Sequence, residues 1–278
     1  MADTVLVCLS GALGDVILTS PALALVRAWR ENAHVHLIAP RSAQQLYPAL
    51  YDSWTDVNAA CVAELFSDDC PSACARHAMW RTAQHAVVFE HHESVLVRSL
   101  GHVMHVCAVD ARPAGCRDEH YSRYVWRKTQ RALGTKPEYA VPVPAMRAPR
   151  EAPHGAYAIV HAGSGSPEKI APPHLMCRVC QRASAGQPWQ WLLLEGESDA
   201  HASAALRRVW CGELSALQVA DLRELAWYLA HAAYYVGNDS GVSHLAGVAG
   251  ARGTVLFGPT DPVVWRPLGR ALAVERFD

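Results

Sequence analysis

In both halves of this 278-residue chain, apolar runs of four to six residues alternate with segments long enough for helices. A strand covered by helices on both faces reads as a short unbroken apolar run, so the alternation predicts βαβ units and parallel sheets, an α/β fold. The first half gives strands at TVLVCLS, AHVHLIAP, HAVVFEHH and VMHVCAV, a turn and helix at GDVILTSPALALVRAW, and a closing helix at HYSRYVWRKTQRALG. The second half restarts with the strand AYAIVHAG, a helix around Pro173 to Ala185, the strand QWLLLEG and the helix DLRELAWYLAHA. YYVGNDSG and GTVLFGPTD follow as strand-to-loop units.

Between the halves, TKPEYAVPVPAMRAPREAPHG is proline-rich and lacks a helical period, which marks a linker. The sequence therefore divides into an N-terminal Rossmann-like domain over 1–140, a linker over 141–155 and a C-terminal Rossmann-like domain over 156–278. Two doubly wound domains facing a central cleft are expected, because such sheets bind ligands beyond the carboxyl ends of their strands.

The 25 basic and 26 acidic residues nearly cancel. No bulk field favours nucleic acid, and a membrane is left with peripheral association at most. No apolar run approaches the ~18 residues of a membrane span, and the start MADTVLVCLSGALGD lacks a basic leader. Nine scattered cysteines fit reduced, mostly buried thiols, so a cytoplasmic location is expected. Cys177-x-x-Cys180 has the spacing of a zinc or redox pair, but no second pair follows it and the stretch is helix-like. A packing role is the preferred reading. His34-x-His36 puts two rings on one strand face, which is short of a ligand set, and no metal site is expected.

The first strand ends in Gly11-Ala12-Leu13-Gly14-Asp15. Glycines such as Gly14 let the backbone approach a ligand, and the helix start offers free N–H groups. A dinucleotide loop would need G-x-G-x-x-G, and the second strand ends in Pro40-Arg41 instead of an acid for a ribose diol, so NAD is disfavoured. Asp15 has two readings: a helix cap, or a carboxylate held ionised at a helix N-terminus for chemistry. Arg41, and His91 with His92 after a later strand, are candidates for the same end of that domain.

In the second half, HAGSGSPEKIAP brings small residues, Ser164 among them, and Lys169 directly after a strand. Only three of the 25 basic residues are lysines, and Lys169 alone lies beyond the linker. A compact ammonium in a small-residue loop suits a phosphate, whereas a solvated surface lysine is the plain alternative. GNDSG then opens a helix at which Ser240, Gly241 and Val242 present N–H groups to a diphosphate. Asp239 would accept from sugar hydroxyls or brace the loop. His244 sits one turn further on, and Thr260 with Asp261 in GPTDP adds a hydroxyl and a carboxylate at the neighbouring strand end. The plain reading makes both turns tight Asx-capped loops.

With GALGDVILTSPAL, HAGSGSPEKIAP, ELAWYLAHAAYYVGNDSGVSHLAGVAG and LFGPTDPVVWRP in view, the chain resembles the family 9 glycosyltransferases, the ADP-heptose:lipopolysaccharide heptosyltransferases, over nearly its whole length. The resemblance implies a GT-B fold, a nucleotide-diphosphate sugar held mainly by the C-terminal domain, an acceptor held mainly by the N-terminal one, and metal-independent inversion without a cofactor. It matches Asp15 to a general base, Lys169 to a phosphate-binding lysine and Asp239 to the acid of a donor-binding loop. The expected function is transfer of a heptose from an ADP-sugar to an acceptor hydroxyl. Another nucleotide sugar, and a non-catalytic nucleotide-sugar binder, remain as alternatives.

Overall fold

The structure, a computed structural model, describes residues 3–67, 70–111, 118–196 and 198–277. It divides into two compact units, Met1–Pro142 and Val143–Asp278. The proline-rich stretch changes unit within itself: the backbone N–H of Arg147 donates to the Arg223 carbonyl at 3.1 Å, and its guanidinium pairs with Asp221 and Glu224.

The first unit holds a five-stranded parallel sheet in the order β3-β2-β1-β4-β5, formed by β1 (Thr4–Cys8), β2 (His34–Ala39), β3 (Ser53–Asp56), β4 (Ala83–Val88) and β5 (His105–Ala108). Central strand β1 is buried on both faces: Val5, Leu6 and Val7 are at most 1% exposed. That accounts for its unbroken apolar sequence. Leu6 and Cys8 join a core with the helices Cys70–Arg76 and Val95–Gly101, and the helix Leu13–Trp29 packs against Tyr121–Leu133.

Helix Leu13–Trp29 carries Pro21 in its interior, where the missing N–H leaves the Ile17 carbonyl without its regular donor. The neighbouring Ser20 hydroxyl donates to that carbonyl at 2.8 Å, so the helix continues through the proline. On the sheet, His34 and His36 both meet the Ser53 hydroxyl at 2.7 Å, and His36 also reaches Thr55 at 3.0 Å. The two histidines are thus engaged by cross-strand hydroxyls.

The second unit holds a six-stranded parallel sheet in the order β11-β10-β9-β6-β7-β8. Its strands are β6 (Tyr157–His161), β7 (Gln190–Leu194), β8 (Ser215–Leu217), β9 (Tyr234–Asn238), β10 (Gly253–Phe257) and β11 (Leu272–Arg276). Met176, Cys177, Val179 and Cys180 of the helix Pro173–Ala183 lie in one core with Val160, Leu193 and Val236. The Cys-x-x-Cys pair is therefore packing, and burial pushes both thiols up, Cys180 well above the ordinary thiol range.

Candidate functional site

Each sheet reverses its strand order once, and each reversal falls where the sequence puts its small-residue turns. In the first unit the chain runs outward from β1 through β2 to β3 and returns to β4, so the loop after β1 lies at the switch point. In the second it runs from β6 to β8 and returns to β9, so the loops after β6 and β9 flank the switch point.

The loop after β1 contains Gly11 at φ +120°, a backbone region that L side chains rarely adopt. A Cβ there would lie 2.7 Å from the Asp15 carboxylate. Asp15, the third residue of the helix, accepts from the Ala12 N–H at 2.9 Å and stays partly exposed. Asp15 is therefore a cap, with a carboxylate edge left to solvent beside Gly14. Arg41 follows β2 as the first residue of the helix Arg41–Leu46, and His91 and His92 follow β4. All three are exposed at the carboxyl ends of strands adjoining β1. The two imidazoles pack at 4.2 Å, and His91 Nδ1 accepts from the Glu93 N–H at 3.3 Å.

The second unit builds a denser arrangement. Asp239, 3% exposed, accepts from the Lys169 ammonium at 2.9 Å and from the Thr260 hydroxyl at 2.7 Å, both at Oδ2. His244 Nε2 stands 3.9 Å from Oδ1. The Ser164 hydroxyl donates to the Asp239 backbone carbonyl at 2.7 Å. Three loops, after β6, β9 and β10, are thus drawn onto one buried aspartate. Lys169 keeps about a third of its side chain exposed, so the ion pair is not sealed off within the unit.

Ser240 is the N-cap of the helix Gly241–Ala249 and accepts from the Ser243 N–H at 3.3 Å. The amides of Gly241 and Val242, partly exposed, belong to the first turn, where backbone N–H groups have no partner within the helix. Asp261 caps the short helix Pro262–Trp265, accepting from the Val263 N–H at 2.9 Å. Its carboxylate faces its own chain turn, while Thr260 beside it reaches Asp239.

Two features were not legible as site residues. Asn238, fully buried, does not cap its own turn: its amide donates to the Ala162 carbonyl at 2.8 Å and accepts from the Ala171 N–H at 3.0 Å. It clamps both ends of the segment that carries Ser164 and Lys169. His161, the last residue of β6, meets the carboxylate of Asp199 at 3.1 Å, and the Gly196 N–H donates to the same oxygen at 2.9 Å. The imidazole holds the Asp199 carboxyl below the usual carboxylate range. A Cβ on Gly163 would fall 1.7 Å from Asp199 Oδ1, so the glycine is a space requirement of this pair. Residues 38 apart give no local signal of meeting.

The comparisons with known proteins bear on the family and the fold. A family model described as glycosyltransferase family 9 (heptosyltransferase) matches residues 48–276. A search of curated proteins gives no match. Among solved structures, a glycosyl transferase family 9 protein from Veillonella parvula DSM 2008 superposes with a TM-score of 0.75 at 16% identity, covering 99% of this chain and 86% of that one. E. coli ADP-heptose lps heptosyltransferase II gives 0.74 at 14% identity over 99% and 91%, and E. coli heptosyltransferase WaaC with ADP gives 0.69 at 17% over 98% and 93%. The fold is that of the GT-B glycosyltransferases of this family. On the family match over most of its length, the chain belongs to glycosyltransferase family 9, the heptosyltransferases.

Proposed function

We propose that the protein is an inverting glycosyltransferase that moves a heptose from an ADP-heptose donor to an acceptor hydroxyl, with no metal taking part. The observation that carries this reading is the convergence of Lys169, Thr260 and the helix-start amides of Gly241 and Val242 around Asp239 at one switch point. With the Thr260 hydroxyl spent on Asp239, the Lys169 ammonium and the helix-start N–H groups are the donors for a diphosphate. The donor's identity draws on the family match and on the two E. coli neighbours, a heptosyltransferase with ADP and an ADP-heptose lps heptosyltransferase.

In the proposed reaction the acceptor oxygen attacks the anomeric carbon as the bond to the diphosphate oxygen breaks, which inverts that carbon. An alcohol is a far weaker acid than a carboxylic acid, so its proton passes to the Asp15 carboxylate as attack proceeds. Charge grows on the departing diphosphate, where Lys169 and the helix-start N–H groups stabilise it. Asp239 fixes the ammonium, and Asn238 fixes the loop that bears it. Arg41, His91 and His92 lie on the Asp15 unit as acceptor contacts.

The first test is a melting-temperature screen with ADP, UDP, GDP and their sugars, since a ligand that binds only the folded protein raises its melting point. ADP and ADP-heptose are expected to give the largest rise. A larger rise with UDP or GDP would overturn the donor assignment.

A further inference from the structure

We propose that a cavity of about 570 Å³ at the amino end of β7, remote from the switch point, binds a small organic monocation with a quaternary or aromatic head. The proposal stands apart from the donor reading. The volume is in the usual range of small-molecule sites. Gln190 and Trp191 begin β7, Ser184 follows the helix Pro173–Ala183, and Trp210 with Glu213 precedes β8. The diphosphate loops leave the opposite, carboxyl ends of the strands.

Three indoles line the cavity. Trp191 Nε1 donates to the Ser184 hydroxyl at 2.8 Å, and Trp210 Nε1 donates to the Glu213 carbonyl at 3.3 Å. With those N–H groups used, these two rings offer π surface. They stand 70° apart at 5.7 Å, and Trp189 is fixed by stacking on Tyr234 at 5.8 Å. Ring faces carry negative potential and attract cations. Among the described residues, Glu213 is the only acidic residue lining the cavity, and no lysine, arginine or histidine lines it. Cys177 and Cys180 stay neutral because burial raises their thiols. An anion would therefore meet repulsion from rings and carboxylate alike, while an uncharged ligand would leave Glu213 unused.

The test is calorimetric titration of the full chain with choline and with its uncharged carbon isostere, 3,3-dimethylbutan-1-ol. Choline should saturate one site and bind at least about fivefold tighter than the alcohol, the effect of one cation–π contact. Trp210→Leu and the exposed Glu213→Gln should each weaken choline by a similar factor, and saturating ADP should leave it unchanged. Bound choline should also slow alkylation of Cys211, which lines the cavity, and not of Cys61 in the first unit. Absence of saturable binding, equal binding of the alcohol, or wild-type affinity in Glu213→Gln overturns the proposal, and that variant covers the case in which Trp210→Leu fails to fold.

Discussion

Asp15 shows how a residue serves as a cap and remains available for chemistry, because the Ala12 N–H engages one oxygen and the side chain stays partly exposed. Asparagine is nearly isosteric and can still accept that hydrogen bond, so Asp15→Asn separates the roles. We expect melting to move little, since losing a charge at a helix N-terminus costs roughly 0.3–1 kcal/mol. Turnover should fall at least ~100-fold, the lower end for a positioned base. A variant with near wild-type turnover would reduce Asp15 to its cap. Lys169 carries a different ambiguity, because its removal also strips the partner from a buried carboxylate. Lys169→Ala should weaken ADP by roughly 1.5–3 kcal/mol, the range for a charged hydrogen bond, and should lower the melting point as well. Adding Asp239→Asn should restore much of the melting point and none of the affinity. If affinity returned with stability, the lysine would be bracing the loop and not meeting the ligand. Lys169 and Asp239 were legible because they sit in loops of unusual composition. Asn238 and the His161–Asp199 pair were not, since their roles lie in partners far along the chain.

Among the elements, buried central strands announced themselves, and of the four edge strands only β5 did. β3 (SWTD), β8 (SAL) and β11 (LAVER) are short and mostly half-exposed, so none carries a buried apolar run, and each pairs on one side only. The helix Ala200–Val209 was missed for a related reason: its buried residues Ala202, Ser203 and Leu206 make a thin apolar stripe. The β2–β3 pair nevertheless holds a titratable device. Burial first, and His34 second, lower the His36 imidazole from 6.5 to about 4. The folded protein thus disfavours the proton that the unfolded chain accepts, so stability is intact above about pH 6.5 and is lost on acidification down to about pH 4. At ~1.4 kcal/mol per pH unit, the full loss is roughly 3 kcal/mol. Urea unfolding between pH 7 and 4 should show this slope. His36→Gln, which cannot take up the proton, should flatten it above about pH 4.5, before carboxylates begin to titrate. An unchanged slope in the variant would assign the acid sensitivity elsewhere.

At the scale of the whole molecule, the family match and the two parallel sheets fix the fold, while the division of labour between the units is a matter for experiment. Each of the contacts that position Lys169, Asp239, Ser164 and Thr260 is made within residues 143–278, which also contain a core of their own around Val160, Met176 and Leu193. The segment that opens this unit is tied to it through Arg147, whose guanidinium pairs with Asp221 and Glu224; Arg223 first, and Arg147 after it, hold the Asp221 carboxyl down to about 2. Residues 143–278 expressed alone are therefore expected to fold cooperatively and to bind ADP within about tenfold of the full chain, a loss of at most ~1.4 kcal/mol. The same fragment lacks Asp15, Arg41, His91 and His92 and should transfer no sugar. Circular dichroism on heating checks the fold, and calorimetry with ADP checks the site. A cooperatively melting fragment that has lost ADP binding more than ~100-fold would show that the first unit supplies donor contacts. The nucleotide site would then have to be redrawn to include residues before Val143, with the loop after β1 as the place to begin.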